Sequence, residues 1–466
     1  MYREEADAAA LLGGIVGRMC ATHEPLGAYA GARRLNYLFV DRNEVVRLTA
    51  ERESPEMSRS VATEYPLFDW HEREMCDTHG VVLAGLPSPR AMFINEGEVP
   101  AALTVEGKGV TVIVVGPVHA GIIEPGRFTM SSGGETVIHL DAQLSYSRRG
   151  VERFLEGQPA LEAAWRMSRI CAACSVARSW AYARALEQLG GVACDERSEW
   201  ARVVFAELER IYNHLFDLAS SAAGAGYGYG QTRGLGLKER AHEICNAAGG
   251  HRLLFDAIVP GGVRAGNLRD PEDLRRSVAV LRGDVVSYVD ELFGNRSVTS
   301  RFEGTGYVSP ETARAFGAVG PARRASGGDI DLRSYVSYGA YRARPPALAR
   351  ETGGDAAARA RIKRSELFES FALVDGALAE LGRHAPPAPA TVEVGYGAMT
   401  TVIEGPRGTE SVSVECDERG VLERVHVISA SYRNWPTVLR AMEGNIVPDF
   451  PLVNKSFNLC YACADR

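Results

Sequence analysis

Two pairs of cysteines in CxxC spacing constrain this chain more than any other feature of its sequence. Cys171 and Cys174 lie near the middle of the 466 residues, and Cys460 and Cys463 lie just before Arg466. The CxxC spacing lets two sulfurs reach one metal, because the intervening turn brings both side chains to the same side. Four thiolates are a soft ligand set that suits zinc, iron–sulfur or nickel–iron. A fold that uses all four must bring two distant segments together.

A structural zinc site is the main alternative for these cysteines. Zinc ribbons place their two pairs within a few tens of residues, whereas more than half of the chain separates the two pairs here. The spacing therefore favours a metal site and leaves the metal open. A helix predicted to begin at Ser175, which would cap it, and the guanidinium of Arg169 are both expected to favour thiolate over thiol in the first pair.

Length and composition indicate a large folded protein with reduced thiols. The chain is 45% hydrophobic, enough for an extensive core and for two or three domains. Five of the nine cysteines are scattered singly, so we expect small buried thiols and not a disulfide framework. The net charge of −7 excludes the global basic character of a nucleic-acid-binding protein. Residues 1–17 predict no secretory or twin-arginine leader, and no run of ~18 apolar residues predicts a membrane span.

Residues 1–105 are predicted to form a small α/β domain. Residues 35–40 are strand-like, and residues 45–50 alternate between apolar and polar side chains at period two. A charged segment at 70–77 follows, and the proline-rich residues 86–90 end the unit.

Residues 106–466 are predicted to form a larger, mainly helical body. Its predicted elements are a strand at 110–115, helices at 200–220, 274–293 and 365–381, and, after a proline-rich stretch at 386–389, antiparallel strands at 400–404, 411–415 and 422–428. The glycine-rich residues 224–230 do not satisfy GxGxxG, and we interpret them as a flexible loop between helices. The predicted fold class is α+β, with a mainly helical body, antiparallel sheet elements and a small N-terminal α/β domain.

The segments around the cysteines resemble the ligand motifs of [NiFe]-hydrogenase large subunits. Arg169–Ser175, RICAACS, is similar to the first motif of that family, and Ser456–Arg466, SFNLCYACADR, is similar to the second. The resemblance is to the membrane-associated, energy-converting group, which is formate hydrogenlyase-like and related to the 49 kDa subunit of respiratory complex I. Complex I relatives have lost these cysteines, so the presence of all four favours the hydrogenase side.

Further segments support the resemblance by occurring in the family's order. They are Gly116–Phe128, Glu209–Leu215, Pro260–Arg264, Gly320–Gly327, Asp331–Arg333 and Gly405–Gly408. Trp70–Glu74 resembles the 30 kDa-type complex I subunit, which some of these hydrogenases carry at the N-terminus. The resemblance thus implies a 30 kDa-like domain at 1–105 and a 49 kDa-like large-subunit domain at 106–466.

By this resemblance the four cysteines would hold a nickel–iron centre. Cys171 and Cys460 would be terminal nickel ligands, Cys174 and Cys463 would bridge nickel to iron, and iron would also carry carbonyl and cyanide ligands. The implied activity is reversible heterolytic cleavage of H2, or the reduction of protons.

Three residues would take part in catalysis by the same resemblance. Cys460 would accept the proton as a terminal thiolate, and Glu124 would relay it outward, which needs a dry site that raises the pKa of the carboxyl group. Arg407 would present a fixed cation to the open face of the metals. Without the family, Glu124 is more simply an ordinary surface residue before a proline turn, and Arg407 is a turn-capping arginine.

Electrons would leave through a partner, because the chain has no further CxxC motif for an iron–sulfur cluster. The resemblance implies a small subunit with a [4Fe–4S] cluster, together with ferredoxin-like and integral membrane complex I-like subunits. The chain is then expected to be cytoplasmic and to lie on the inner face of the cell membrane through these partners.

Some positions depart from the family pattern. The family usually has a histidine where this chain has Arg178, Gly-Ile where it has Ala172-Ala173, and Pro-Tyr where it has Ser337-Tyr338. An arginine beside a bridging thiolate changes the charge and hydrogen bonding of that sulfur. The competing hypothesis is a catalytically silent, complex I-like structural or coupling protein whose cysteines hold zinc or no metal.

The remaining polar residues of interest have simpler interpretations. His214 and His119 are expected to be packed or hydrogen-bonded and not to bind metal, and Asp449 is expected to be a turn residue. Mature subunits of the family end at a histidine or arginine three residues after the last cysteine, the position that Arg466 has here. We expect Asp465 and Arg466 to be ordered and largely inaccessible, because the adjacent cysteines must be buried at the metal.

Overall fold

Four short strands from the first 51 residues form one sheet. A computed structural model of the protein describes residues 2–6, 12–42, 44–51, 59–94, 99–119, 123–384 and 389–466. The elements of the N-terminal part are strand β1 (Tyr2–Ala6), helix α1 (Leu12–Thr22), strands β2 (Glu24–Ala30), β3 (Arg34–Asp41) and β4 (Glu44–Glu51), and helix α2 (Asp69–His79). The sheet order is β1-β4-β3-β2, with a parallel β1–β4 pair and antiparallel pairs elsewhere.

The two strands predicted in this region are confirmed as β3 and β4. Successive side chains of a strand point to opposite faces. Leu35, Tyr37 and Phe39 of β3 accordingly pack into a small N-terminal core, whereas Leu38 and Val40 belong to the core of the body. The sheet is therefore buried on both faces, and its second face attaches the N-terminal part to the rest of the chain.

Polar contacts reinforce this attachment. Tyr29 Oη and the backbone N–H of Ala32 each donate to the Glu415 carboxylate at 3.1 Å, and Arg90 donates to Asp141 at 2.7 Å. Within the described residues, no strand from the C-terminal part joins the N-terminal sheet. The placement of a domain boundary at residue 105 stays a prediction.

A second sheet opens the body. It is an antiparallel meander of β5 (Val110–Val115), β6 (Arg127–Gly133) and β7 (Thr136–Gln143). The strand predicted at 110–115 is confirmed. Residues 120–122, which belong to the motif that carries Glu124, lie outside the described residues, as does most of the predicted proline-rich stretch at 386–389.

Helices make up most of the remaining body. They are α3 (Val151–Leu155), α4 (Ala160–Met167), α5 (Ser175–Leu189), α6 (Glu196–Gly224), α7 (Gly228–Gly249), α8 (Pro271–Gly294), α9 (Arg296–Phe302), α10 (Pro310–Ala315), α11 (Gly320–Ala325), α12 (Leu332–Tyr335) and α13 (Ala356–Leu381), with a short hairpin of β8 (Ile258–Val259) and β9 (Gly262–Val263) between α7 and α8. The third sheet and the last helices are β10 (Gly397–Gly405), β11 (Gly408–Cys416), β12 (Leu422–Ile428), α14 (Ala430–Met442), α15 (Phe450–Phe457) and α16 (Tyr461–Asp465).

Helix α6 is the centre of the helical body, since α7, α13 and α15 all pack against it. The helices predicted at 200–220, 274–293 and 365–381 are confirmed within α6, α8 and α13. The polar residues of α6 are buried together with its apolar ones. They can be buried because charges on neighbouring elements pair with them, as Glu366 does with His214 at 2.9 Å.

The glycine-rich stretch at 224–230 is more ordered than the loop that the sequence predicts. Only residues 225–227 separate α6 from α7, and Gly228 and Gly230 lie inside α7. Glycine is required further along that helix, since a Cβ at Gly234 would lie 2.6 Å from Tyr288 Oη and 2.8 Å from the Cβ of Ala219. These small residues let α7 approach its neighbours closely, so the segment packs and does not form a flexible loop.

The predicted strands at 400–404, 411–415 and 422–428 are confirmed as one antiparallel sheet in the order β10-β11-β12. The chain is about 49% helix and 18% strand, which confirms the α+β class. Among the described residues, no helix is both long and apolar enough to cross a membrane. The third sheet packs against α5, and this contact places the turn between β10 and β11 beside the first cysteine pair.

Candidate metal centre

The two distant cysteine pairs meet in one buried cluster. The Sγ atoms of Cys171, Cys174, Cys460 and Cys463 all lie within 4.8 Å of one another, and the Cys463 and Cys174 sulfurs are 3.9 Å apart. Cys463 and Cys174 are fully buried, Cys171 is nearly so, and Cys460 is half-buried. The prediction that the four cysteines converge is confirmed in the geometry of the fold.

Helix α6 holds the loop that carries the first pair. Cys171 is extended, and residues 172–174 form a single 3-10 turn that leads into α5. Tyr212 Oη donates to the Ala172 carbonyl at 3.1 Å, and Asn213 Nδ2 donates to the Ala173 carbonyl at 2.8 Å. The backbone between the two cysteines is therefore fixed by side chains from the central helix.

The cap of α5 comes from a residue whose capping role no sequence pattern predicted. Ser175 was expected to cap this helix, but it is the first helical residue and its hydroxyl donates to the Leu253 carbonyl. The Glu209 carboxylate accepts instead from the backbone N–H groups of Val176 at 2.6 Å and Ala177 at 3.1 Å. Burial raises the pKa of Glu209 to about 8, although these N–H groups lower it. A buried carboxyl group on α6 thus anchors the helix that begins at Cys174.

Substituting alanine for Glu209 is expected to loosen the first cysteine pair. Two buried backbone N–H groups would lose their acceptor, at a cost of about 1–3 kcal/mol for each unpaired group. We expect a lower midpoint of thermal unfolding and faster release of bound metal to a chelator. Glu209→Gln, which keeps an acceptor oxygen, should lie between Glu209→Ala and the wild type. Equal stability and metal retention in Glu209→Ala and the wild type would contradict this account.

The second pair follows a sharp turn at the end of α15. Asn458 ends that helix in the left-handed conformation, with φ of 53°, and its side chain donates to Asp217 at 2.7 Å. The backbone N–H of Cys460 donates to Ser431 Oγ at 3.0 Å, and Ser429 Oγ donates to the Cys463 carbonyl at 3.1 Å. Helix α14 and the residue before it therefore position both cysteines.

The residues after the last cysteine are buried, as predicted. Asp465 and Arg466 are 1% and 4% exposed. The Asp465 carboxylate accepts from the backbone N–H groups of Ser145 at 2.7 Å and Ser147 at 2.9 Å. The Arg466 guanidinium forms an ion pair with Glu74 of α2, so this segment also contacts the N-terminal part.

Arg407 lies in the turn between β10 and β11 and is buried against the cluster. Its guanidinium donates to Asn213 Oδ1 at 2.8 Å, to Asp217 at 3.1 Å and to the backbone carbonyl of Asn458. Burial alone would lower the pKa of Arg407, but the Cys460 thiolate and Asp217 raise it well above its ordinary value. Three acceptors therefore fix a permanent cation at the cysteines.

A second cation at the cluster is Arg178, not the expected Arg169. Arg169 points away and pairs with Asp256 at 2.6 Å. Arg178 is fully buried, and its Nη2 lies 3.3 Å from Cys463 Sγ and 2.9 Å from Glu410 Oε2. Position 178 is four residues after Cys174, one helical turn along α5, so the first sulfur pair and this guanidinium lie on the same side of the helix.

Hydrogen bonds among the thiols distribute charge unequally over the cluster. The bonds from Cys171 and Cys174 lower the pKa of both Cys460 and Cys463. Arg407 contributes further to the low pKa of Cys460. Arg178 contacts Cys463, and the Cys460 thiolate raises the pKa of Arg407, so each arginine acts on one cysteine of the second pair.

Glu124 lies beside the second pair, but in an exposed position. Its Oε2 accepts from the backbone N–H of Ala462 at 2.6 Å, in the first turn of α16. A proton relay was expected to need a dry environment for this carboxyl group, and in the isolated chain the side chain faces solvent. Residues 123–125 belong to the connection between β5 and β6, and none of the three is fully buried.

The histidines and Asp449 have the simple roles expected of them. His214 contacts Glu366, and burial lowers the pKa of this histidine. His119 Nε2 contacts the carbonyl of Gly126 at 2.7 Å. Asp449 ends a 3-10 turn and pairs with Arg301 at 2.8 Å. None of these side chains belongs to the cysteine cluster.

A buried network of ion pairs supports the turn that carries Arg407, and no sequence pattern predicted that its members form one unit. Its members are Glu207, Arg210, Arg324, Asp331, Arg333, Glu366 and Glu404. Arg210 of α6 donates to the carbonyls of Glu404 at 2.8 Å and Gly405 at 3.0 Å. These bonds hold the end of β10, and so they fix the turn that presents Arg407. The only sequence signal was the presence of family-like segments at 209–215, 320–327 and 331–333.

Comparison with known families agrees with this site. Residues 231–393 and 388–466 match the family of the 49 kDa subunit of respiratory-chain NADH dehydrogenase, and these residues make up half of the chain. Residues 11–103 match the family of its 30 kDa subunit.

The named relatives include subunits of hydrogenase complexes and of NADH-quinone oxidoreductase. Formate hydrogenlyase subunit 5 of Escherichia coli (strain K12) is 29% identical over 453 residues, which cover 90% of this chain and 79% of the relative. Membrane-bound hydrogenase subunit alpha of Pyrococcus furiosus is 28% identical over 372 residues, with 76% and 87% covered. The NADH-quinone oxidoreductase C/D protein of Bacteroides thetaiotaomicron is 25% identical over 418 residues, with 81% and 79% covered.

The family matches, the relatives and the convergent cysteines lead to one assignment. The chain belongs to the oxidoreductase family of [NiFe]-hydrogenase large subunits of the membrane-associated, energy-converting group, which is related to the complex I 49 kDa subunit, and it has an N-terminal segment of the 30 kDa family.

Proposed function

We propose that this chain is the catalytic large subunit of a [NiFe]-hydrogenase complex, which cleaves H2 reversibly and passes electrons to a partner subunit. The observation that carries the proposal is the convergence of Cys171, Cys174, Cys460 and Cys463 in one buried cluster. A silent relative of complex I without a metal would not need four sulfurs from distant segments within 4.8 Å of one another.

The cluster fits a nickel–iron group in number and chemistry. Four thiolate donors are soft ligands, and metal–sulfur bonds of about 2.3 Å allow sulfurs at this spacing to share one ion or two. By the resemblance, Cys171 and Cys460 would hold nickel, and Cys174 and Cys463 would be shared between nickel and iron. When bound, with carbonyl and cyanide on iron, the group would supply the electrophilic centre at which H2 is polarised.

The protein would supply the proton path. Cys460 Sγ would take the proton, because this sulfur is the less buried member of the second pair and lies near the turn whose Ala462 N–H donates to Glu124. The Glu124 carboxylate accepts a hydrogen bond from the backbone N–H of Ala462, in the first turn of the helix that follows Cys460. Its exposed side opens toward solvent or a partner, so a proton received there would leave the site.

Arg407 would orient the site without exchanging protons. Its three hydrogen-bond acceptors fix the guanidinium, and an arginine stays charged throughout the accessible pH range. A fixed cation at this position would stabilise negative charge on the cluster and on its small anionic ligands.

Electrons would continue to a small subunit that holds a [4Fe–4S] cluster. The other five cysteines of the chain are free and scattered, and none of them joins the group at the site. Relatives named as membrane-bound hydrogenase and NADH-quinone oxidoreductase subunits favour a complex with ferredoxin-like and membrane subunits. The chain would thus be a cytoplasmic, peripheral subunit on the inner face of the cell membrane.

A catalytically silent, complex I-like coupling protein is the second candidate, and Arg178 is the observation that favours it. The complex should be purified and analysed for nickel, iron and zinc, and its infrared spectrum recorded in the carbonyl and cyanide region. Nickel and iron together with carbonyl and cyanide bands are the expected result. Zinc alone, or no metal, in a folded complex would support the silent protein instead.

Glu124→Gln is expected to slow catalysis while metal content stays unchanged. Glutamine keeps an oxygen for the Ala462 N–H but cannot relay a proton, and general acid–base groups typically contribute about 10²- to 10⁴-fold. Hydrogen–deuterium exchange activity measures the loss, with Glu106→Gln as a control on an exposed carboxylate away from the cysteines. Wild-type activity in a fully loaded Glu124→Gln complex would remove Glu124 from the path.

A further inference from the structure

Arg178 is unusual among the buried arginines of this protein. Its side chain is fully buried, and Nη2 alone makes both of its polar contacts, with Cys463 Sγ and Glu410 Oε2. Nε and Nη1 are buried and have no hydrogen-bond partner among the described residues. By contrast, Arg202, which is equally buried, is paired on all three of its nitrogens.

Leaving two guanidinium nitrogens buried and unpaired is costly, and such exceptions in a folded protein need an explanation. The geometry offers one explanation, which is that the guanidinium is kept at this position by its contact with the sulfur cluster. Among the described residues, Glu410 is the one carboxylate that pairs with Arg178, and its second oxygen accepts from the backbone N–H of Ala430 at 3.0 Å. Glu410 therefore holds in place the same nitrogen, Nη2, that contacts Cys463.

We propose that Arg178 is a positioning residue that keeps a permanent positive charge and hydrogen bond on the Cys463 sulfur, and so raises the reduction potential of a metal centre bound there. Hydrogen bonds and positive charge at a ligating sulfur withdraw electron density from it, and they are among the main controls of metal–thiolate potentials. Where nickel and iron are concerned, this inference rests on the proposed function.

The substitution also distinguishes this chain from the usual family pattern. An imidazole at this position is mostly neutral near pH 7, whereas a guanidinium is charged at every pH at which the protein is folded. The Cys463 sulfur would therefore be a weaker electron donor here than beside a histidine. The expected consequence is a centre that is easier to reduce than that of a relative with histidine.

The test compares complexes that carry Arg178→Met, Arg178→Lys and Arg184→Met. Arg184 lies on the same helix, over the Tyr338 ring and away from the cysteines, so it controls for the loss of a partly buried arginine from α5. With nickel and iron content confirmed, infrared-monitored redox titration should show carbonyl and cyanide bands at lower wavenumber and a lower midpoint potential in Arg178→Met. Arg178→Lys should restore much of the shift, and Arg184→Met should match the wild type.

A second readout does not depend on nickel and iron. The metal-free complex is loaded with Co²⁺, and the sulfur-to-cobalt charge-transfer band is recorded. Removing the positive charge raises the energy of the sulfur lone pairs, so the band should move to longer wavelength in Arg178→Met and not in Arg184→Met. If Arg178→Met does not fold, Arg178→Gln, which keeps a donor and loses the charge, takes its place.

The possible outcomes separate the two proposals. A wild-type complex without carbonyl bands would reject the proposed function, and the cobalt band would then decide the role of Arg178 by itself. Unchanged bands and potential in a loaded Arg178→Met complex, or an unchanged cobalt band, would overturn the inference about Arg178.

Discussion

Cys463→Ala is expected to abolish metal binding and hydrogen turnover together. Cys463 is fully buried, lies 3.9 Å from the Cys174 sulfur and contacts Arg178, so it is the most enclosed member of the cluster. Its removal would take away one of four ligands and leave the Arg178 charge with only Glu410 beside it. Residues outside the ligand set typically change metal affinity by about 10- to 100-fold, and we expect a larger loss for a ligand.

Metal analysis of the purified complex measures this effect, and Cys245→Ala provides the control. Cys245 is as buried as Cys463 but packs in the hydrophobic core of the helical body. The Cys245→Ala complex should keep its full nickel and iron content and lose some stability through the small cavity that the substitution leaves. Full metal content in Cys463→Ala would contradict the assignment of this cysteine as a ligand.

Arg324→Met is expected to give the largest loss of stability outside the cysteines. Arg324 is fully buried and pairs with Glu366 at 2.6 Å and Glu404 at 2.8 Å. Removing it would leave two carboxylates buried beside each other with fewer cations, and breaking a buried pair from one side typically costs about 3–5 kcal/mol. Methionine fills a similar volume, so the lost charge and not a cavity should dominate the change in the free energy of unfolding.

The change in the free energy of unfolding is measured by urea unfolding of the metal-free chain, with pulse proteolysis as the readout. Arg275→Met is the matched control, because Arg275 pairs with Asp375 on the surface, where ion pairs contribute little. We expect no measurable effect there. A double variant, Arg324→Met with Glu366→Gln, should recover part of the loss because one unpaired charge is removed. Equal stability of Arg324→Met and the control would show that the network is not needed for folding.

The sequence predicted the elements whose side chains follow a simple period. The strands β11 and β12 alternate in their apolar positions, and α8 and α13 have apolar residues three and four apart, so period and structure agree. The convergence of the cysteines was also predictable, because soft ligands in paired spacing need a shared metal. These features depend on local pattern or on the chemistry of one residue type.

The buried charges could not be predicted in the same way. Glu209 lies in a helix and Glu410 in a strand. Glutamate is also common at exposed positions of helices and strands, so the residue type does not show that these two are buried. Their roles depend on partners far along the chain, at Val176 and Arg178, that only the folded structure brings near. The exposure of Glu124 agrees with the interpretation from the residues alone, an ordinary surface residue before a proline turn, and not with the dry site that the resemblance implies.

The separation of the cysteine pairs has a further consequence for how the parts of the molecule hold together. A metal held by both pairs would cross-link the chain across nearly three hundred residues, and closing a loop of more than about 100 residues restricts the unfolded chain by roughly 4–5 kcal/mol. The segment that carries Cys460 and Cys463 also carries Arg466, which pairs with Glu74 of the N-terminal part. Release of the metal would therefore free one end of that contact, and the attachment of the first hundred residues should weaken whenever the centre is empty.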